Sequence, residues 1–488
     1  MYYLGIDLGT SSVKLVLMED GGTVARTVTR GYPLSMPRAG WSEQSPEDWW
    51  RETCTGIREI MDGLDAKHLS GISFGGQMHG LVILDRNDAV VRPAILWNDG
   101  RTSEETAYLN ETIGRTRLVQ DTANIAFAGF TAPKLLWVQK HEPQNFEKIA
   151  KIMLPKDYLA YRMTGVHCSD YSDASGMLLL DVAKKQWSED MLRICGITSG
   201  QLPKLFESYE VVGTLLPSVA RELGLPERVK VCAGAGDNAA AAVGTGTVRD
   251  GSCNLSVGTS GTVFIANDSF HLPSNNAIHA FAHATGKYHL MGCILSAASC
   301  NHWWMENILH TDAYTQEQKG FVPLGTNDIL FAPYLMGERT PHNDAAVRGA
   351  LLGVSMNTTR AQITQAVMEG VAFAMRDSVE IAKNLGITVK STKICGGGAK
   401  SSIWKRIFSD VLGIPVQSIS AEEGPGLGAA MLAAVGCGAY HSVVEVADAV
   451  VQVTETIEPD ECTHTRYDEK YAEFQRIYPA LKAIHKGL

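Results

Sequence analysis

One short pattern occurs twice, far apart in the chain, and it restricts the fold more than any other feature. The first copy is Leu4-Gly5-Ile6-Asp7-Leu8-Gly9-Thr10-Ser11-Ser12-Val13-Lys14. Apolar residues lead to one acid, a turn of small residues follows, and Val13–Met18 forms a second apolar run. This predicts a β-hairpin whose turn has little side-chain bulk and several N–H groups. Such a turn can wrap a phosphate, and the hydroxyls of Thr10, Ser11 and Ser12 add donors. Asp7 stands where a divalent metal bridging phosphates would take a carboxylate. A tight hairpin with a buried strand acid explains this copy equally well. The second copy runs from Asn254 to Ile265. There Gly258, Thr259 and Ser260 align with Gly9, Thr10 and Ser11, and Ser256 replaces Asp7. A duplicated hairpin with its acid kept once predicts two similar domains facing one nucleotide. The first would hold metal and phosphate, the second phosphate alone.

The 488 residues suffice for two or three domains at about 100–200 residues each. A formal charge of −10 and the lack of a long basic run argue against a nucleic-acid or anionic-membrane surface. A phosphate site must then rely on local N–H groups, a metal and single lysines. The chain enters a strand without a charged leader, and no apolar run reaches the roughly 18–20 residues of a membrane span. The 10 cysteines form no C-x-x-C pair, so zinc and redox motifs are absent and a reducing cytoplasm is expected.

Along the chain, strands are expected at Tyr2–Leu8, Val13–Met18 and Gly22–Arg30. Ser45-Pro46-Glu47-Asp48 reads as a capping box that opens a helix reaching Ile60. Leu69–Phe74 reads as a buried strand ending in Gly75-Gly76-Gln77-Met78-His79-Gly80, the kind of strand exit where open α/β sheets place ligands. Trp97-Asn98-Asp99-Gly100-Arg101 is a second polar exit, or simply an Asn-Asp-Gly turn. Residues 169–176 read as a loop. Val229–Cys232 is a β-type run before Gly-Ala-Gly, and Asp237 and Asn238 then open a small-residue helix. Asp237 faces a cleft or merely caps that helix. The Gly-rich stretch Gly244–Gly251 is the natural domain boundary. Ser296–Ile308 and Thr358–Leu385 read as helices, and Gly396-Gly397-Gly398 joins a strand to a helix where a ring or phosphate could rest on backbone. Gly424–Ala430 opens another small-residue helix, and Tyr467–His485 reads as one amphipathic helix.

Together these stretches resemble the FGGY family of carbohydrate kinases, on the actin-like ATPase fold. Gly129-Phe130-Thr131-Ala132-Pro133-Lys134-Leu135-Leu136-Trp137 matches one family signature, and Gly349–Val354 through Ala366–Glu369 matches the other. The resemblance implies an α/β chain of two actin-like (ribonuclease-H-like) domains with a cleft between them. The divisions are 1–245 for sugar and metal/phosphate, 253–441 for nucleotide, and 442–488 as a helical tail on the body. It implies Asp237 as catalytic base and Asp7 as organiser of Mg²⁺ and phosphates. Met78, His79, Asp237 and Asn238 would line the sugar pocket. Thr10, Ser12, Lys14, Gly258 and Thr259 match the phosphate hairpins, and Gly397, Gly398 and Ser402 match the adenosine end. Lys14 replaces the arginine of glycerol kinases and gives a point charge where a fork would stand; Met78-His79 replaces their charged Arg-Glu, which argues against glycerol.

The implied reaction is transfer of the ATP γ-phosphoryl group to the terminal hydroxyl of a ketopentose, D-xylulose first. Ribulose, fuculose or gluconate remain open as acceptors. So do an actin- or chaperone-like ATPase, which would make no sugar phosphate, and an idle sugar sensor. The resemblance also implies a homodimer.

Overall fold

The computed structural model of the chain describes residues 1–272, 277–420 and 424–485. Each copy of the repeated hairpin lies at the centre of a seven-stranded sheet. In the first, Tyr2–Leu8 pairs antiparallel with Ser12–Glu19, which pairs antiparallel with Val24–Gly31. On its other side Tyr2–Leu8 runs parallel to Leu69–Gly76, then come Lys230–Cys232, also parallel, and an antiparallel edge, Val211–Thr214. The second sheet repeats this order. Ser252–Val257 pairs antiparallel with Gly261–Asn267 and then Tyr288–Ile294, and runs parallel to Ser391–Cys395 and Val416–Ile419. Its antiparallel edge is Val453–Ile457, so the tail after residue 442 adds a strand as well as helices. The central strands read as unbroken apolar runs because helices cover both faces.

The repeat is close but not identical. Asp7 and Ser256 are each the last residue but one of their strand. Leu8 pairs with Val13 across residues 9–12, whereas Val257 pairs with Gly261 across residues 258–260.

Two helices of small residues cross between the sheets. Asp237–Gly244 follows the first sheet, and its Ala242 joins Phe264 and Ala266 of the second. Gly424–Cys437 follows the second sheet and packs on the first: a Cβ on Gly5 would lie 2.0 Å from the Gly426 carbonyl oxygen. Where the two helices meet, a Cβ on Gly428 would lie 1.8 Å from the Ala240 oxygen, so only glycine permits this backbone approach. Elsewhere the halves are tied by polar bonds. The Asn124 side chain exchanges two bonds with the Ala280 backbone, and Ala282 N donates to Ser175 Oγ at 3.0 Å.

Four local expectations are corrected. The helix Pro46–Met61 begins as read, but Ser45 makes no side-chain cap because its carbonyl already takes the Asp48 N–H. Residues 169–176 are not a loop: Asp170 ends a strand and its carboxylate caps Ser172 and Asp173, which starts helical turns. The helix expected from Ser296 begins at Ala298, because Ala297 N and Ala298 N are taken by the carbonyls of Thr259 and Gly258. The terminal helix is two, Glu461–Phe474 and Ile477–His485, with Tyr478 stacked on His342 at 3.6 Å. All ten cysteines are free thiols, and no helix among the described residues is long and apolar enough to cross a membrane.

Candidate active site

Asp7 lies opposite Lys14 on one side and Gly75 on the other. Ala235 and Gly236 pair with Gly75 and Gly76 along the far side of that same strand, and Asp237 follows as the first residue of its helix. The two aspartates therefore flank one glycine exit, and both are partly exposed. A side chain on Gly76 would meet the Lys156 Cβ at 2.7 Å, so glycine lets the helix beneath approach this closely.

Burial raises both carboxyls. Asp7 is pushed up to about 7, with the Asp237 charge adding to the rise and Lys14 opposing it. Asp237 is pushed up to about 6, against two bonds from Asn238, whose N and Nδ2 both donate to Oδ1 at 2.7 and 2.9 Å. Its Oδ2 receives neither bond. A carboxylate that titrates near neutrality suits proton transfer to and from an alcohol.

The first strand exit supplies the polar wall. Asn238 Nδ2 lies 3.9 Å from Met78 Sδ. His79 adopts φ +69°, a left-handed backbone that costs a residue with a Cβ roughly 1–2 kcal/mol. Its surroundings hold it there. The His79 carbonyl accepts bonds from Lys134 Nζ at 2.8 Å and Thr131 Oγ1 at 3.1 Å, Nδ1 lies 2.8 Å from the Gly176 oxygen, and the ring stacks on Phe130 at 4.5 Å. The first signature segment thus anchors this exit. Burial takes the His79 imidazole down to about 3, so it is neutral.

The first hairpin turn is held from behind. Gln44 Nε2 donates to the Thr10 carbonyl at 2.6 Å, Gln77 Nε2 to the Gly9 carbonyl at 3.2 Å, and Trp97 Nε1 to Thr10 Oγ1 at 2.9 Å. Ser12 and Lys14 follow on the outgoing strand, both partly exposed. In the second turn, Thr259 is exposed and its carbonyl accepts Ser299 Oγ at 2.6 Å.

Two cavities continue from this edge. One of about 680 Å³ is lined by Asp237, Asn238, Thr262, Cys395, Gly424 and others from both halves. Another of about 500 Å³ is lined by Gly397, Gly398, Ser401, Ser402 and Trp404. Lys400 borders both. The structure thus brings Asp237, Asn238 and Met78 together and puts Gly397, Gly398 and Ser402 in the adjoining cavity. Asp7, Gly258 and Thr259 line neither cavity and sit at the strand ends beside them.

Sequence reasoning missed the support beneath Asp237. Gly236 N donates to Ser172 Oγ at 3.2 Å, Ser172 Oγ donates to Asp170, and Lys156 Nζ, fully buried, sits 2.7 Å from Asp157 and 2.9 Å from Asp170. Sequence spacing carries no sign of this cluster, whose members come from three separate segments.

Known proteins resemble the chain over its whole length. Residues 2–244 match the N-terminal domain model of the FGGY family of carbohydrate kinases, and residues 253–437 match the C-terminal one. A xylulose kinase of Bacillus subtilis is 39% identical over 100% of this chain and 98% of its own. One from Escherichia coli is 40% identical over 98% and 99%. The crystal structure of a "xyloylose kinase" from Brucella ovis superposes with a TM-score of 0.93 at 38% identity, covering 99% of this chain and all of that one.

Proposed function

The chain belongs to the FGGY family of carbohydrate kinases, and on that footing we propose that it transfers the γ-phosphoryl group of ATP to the terminal hydroxyl of D-xylulose, giving D-xylulose 5-phosphate. The observation that carries this reading is the placing of Asp237. Its carboxylate stands between the Met78-His79 exit and a cavity walled by the second sheet. The full-length kinship with xylulose kinases supports the choice of sugar.

Phosphoryl transfer needs alignment, charge neutralisation and a proton acceptor more than covalent chemistry from the protein. Adenosine lies along the Gly397–Ser402 turn, and the phosphates run toward the two hairpins, where Thr10, Ser12, Lys14, Gly258 and Thr259 meet them. Met78, His79 and Asn238 orient the sugar, and Asp237 Oδ2 accepts the proton of the attacking hydroxyl.

A magnesium ion fits beside Asp7. That carboxylate faces one lysine and the like charge of Asp237, so a further cation relieves the repulsion. No group of three or more His, Cys, Asp or Glu among the described residues could cage a metal, so Asp7, nucleotide oxygens and water would share it. Bound there, the ion neutralises charge on the phosphates. We divide the chain into 1–245, 253–441 and a tail from 442, with closure about Gly244–Gly251 excluding water from the reacting groups.

Coupled-assay turnover with D-xylulose, D-ribulose, L-xylulose and glycerol tests the reading. D-xylulose should give the highest kcat/KM; a better turnover with any of the others would displace it.

A further inference from the structure

Near His79, Arg339 of the C-terminal half packs against a ring of the N-terminal half. The segment Glu338–Thr340 is pinned over the end of Tyr288–Ile294. Thr340 N donates to the Cys293 carbonyl at 2.9 Å, and Cys293 N donates to Thr340 Oγ1 at 3.0 Å. Glu338, only 1% exposed, accepts Arg339 N at 2.7 Å and Leu295 N at 3.0 Å on Oε1. With its backbone fixed, Arg339 extends toward the N-terminal half, its guanidinium carbon 5.1 Å from the Phe127 ring centre. Phe127 lies 5.3 Å from Phe130, which stacks on His79. Aromatic contacts therefore run unbroken from the guanidinium to the imidazole.

Burial and the Lys134 charge keep His79 neutral with a smaller contribution from Arg339, and burial with Arg339 does the same for His279, so the guanidinium is within electrostatic reach of both rings. The Arg339 side chain bonds the Cys293 thiol and its charge acts on the neighbouring Glu338, both of its own domain.

We propose that Arg339 is a substrate-binding residue supplied by the C-terminal domain, its fork taking two adjacent oxygens of the acceptor at the end remote from the hydroxyl that Asp237 deprotonates. For a 2-ketose these are the carbonyl and a neighbouring hydroxyl. The proposal deepens the sugar-kinase reading and rests on it. A planar fork matches such a pair with two parallel bonds, and the Phe127 face steadies the cation. A sugar gripped from both domains has its full set of bonds only when they approach, so binding favours closure.

The test is steady-state kinetics and calorimetry on full-length Arg339→Met and Arg339→Lys. Losing a charge-assisted bond pair should raise the D-xylulose KM about tenfold or more in Arg339→Met, and less in Arg339→Lys. The ATP KM and the sugar-independent ATP hydrolysis should stay as in the parent chain. Preference for D-xylulose over xylitol, which lacks the carbonyl, should fall by a similar factor, and added guanidinium ion should restore part of it. Phe127→Leu removes the ring but no bond, and should shift the same KM less. Should an arginine variant fail to fold, Phe127→Leu decides the matter alone: an unmoved D-xylulose KM would overturn the proposal. So would an intact ketose preference in Arg339→Met, or an equal rise in both KM values. A parent chain that turns over no ketose would overturn the kinase reading and this proposal with it; a working parent whose preference survives loss of Arg339 would overturn this proposal alone.

Discussion

Replacing Asp237 with asparagine should remove most turnover and at the same time make the chain more stable at neutral pH. The two effects share a cause. The carboxylate is charged in a place where burial disfavours charge, which lifts its pKa from 3.8 to about 6. At 1.36 kcal/mol per pKa unit, that displacement corresponds to about 3 kcal/mol held against folding once the group ionises. The figure is a ceiling, because Asp237 is partly exposed and water reaches it. Asparagine has the same shape, and its Oδ1 can still accept the two bonds from Asn238. It cannot take a proton from an alcohol. General-base catalysis contributes about 10²–10⁴-fold, or roughly 3–5 kcal/mol of barrier.

The pH dependence separates this account from a generic one. A folded-state pKa raised above the unfolded one favours folding at low pH and loses that contribution as pH rises through the folded value. Below about 3.8 the parent carboxyl is neutral folded or unfolded, so Asp237→Asn should have no advantage there. Between 3.8 and about 6 the advantage should grow, and above that it should level off. With saturating magnesium and ATP holding Asp7 charged, the parent kcat/KM for the sugar should fall as the pH drops below about 6 and Asp237 takes up its proton, while the residual activity of Asp237→Asn loses that limb. Ligand-free denaturant titrations from pH 4 to 8 and initial rates over the range where the fold persists give both curves. A variant less stable than the parent at pH 7.5 would refute the desolvated charge, and a loss of turnover under about tenfold would refute the base.

Other positions yield predictions of different kinds. Asp7→Asn should lower kcat and raise the magnesium concentration needed for half-maximal rate; an unchanged magnesium titration would take the metal role from Asp7. Gly397→Val places a branched side chain in the 500 Å³ cavity, where no heavy atom lies within 4 Å of the new Cβ. The fold should tolerate it, the ATP KM should rise about tenfold or more, and calorimetric D-xylulose binding should stay the same. Gly428→Ala sets a methyl group 1.8 Å from the Ala240 oxygen, so the crossing helices must part, at a cost of about 1–3 kcal/mol or more. Thermal melts that coincide with the parent would show that the contact yields freely.

How much could be read in advance depended on whether the cause was local. The hairpin repeat was legible because strand, turn and strand are contiguous, and its acid–serine difference survives at the equivalent positions Asp7 and Ser256 of the two sheets. The strand exit at Gly75-Gly76 was legible in the same way, since paired glycines announce close backbone approach by composition. What failed was decided by partners from elsewhere. Residues 169–176 looked like a loop because nothing local reveals that Asp170 will cap its own turn while pairing with Lys156. Nothing local marks Arg339, since the Cys293 edge that fixes its neighbour and the Phe127 ring beside it belong to distant stretches.

The crossing helices show the same limit at the scale of domains. Ala239-Ala240-Ala241-Ala242 and Gly424-Pro425-Gly426-Leu427-Gly428 read only as small-residue helices. Small residues there have a joint purpose that neither helix states alone. Each helix follows one sheet and packs toward the other, and the Gly428–Ala240 approach is closer than any Cβ at position 428 would allow. The first helix begins at Asp237, and the second begins at Gly424 and Pro425, which line the same cavity. At Gly426, a Cβ would lie 3.8 Å from the Asp7 Cβ. On the proposed closure about Gly244–Gly251, a rotation of one sheet against the other would shift both helix starts together, because the Gly428–Ala240 contact lies within about one helical turn of Asp237 and of Gly424.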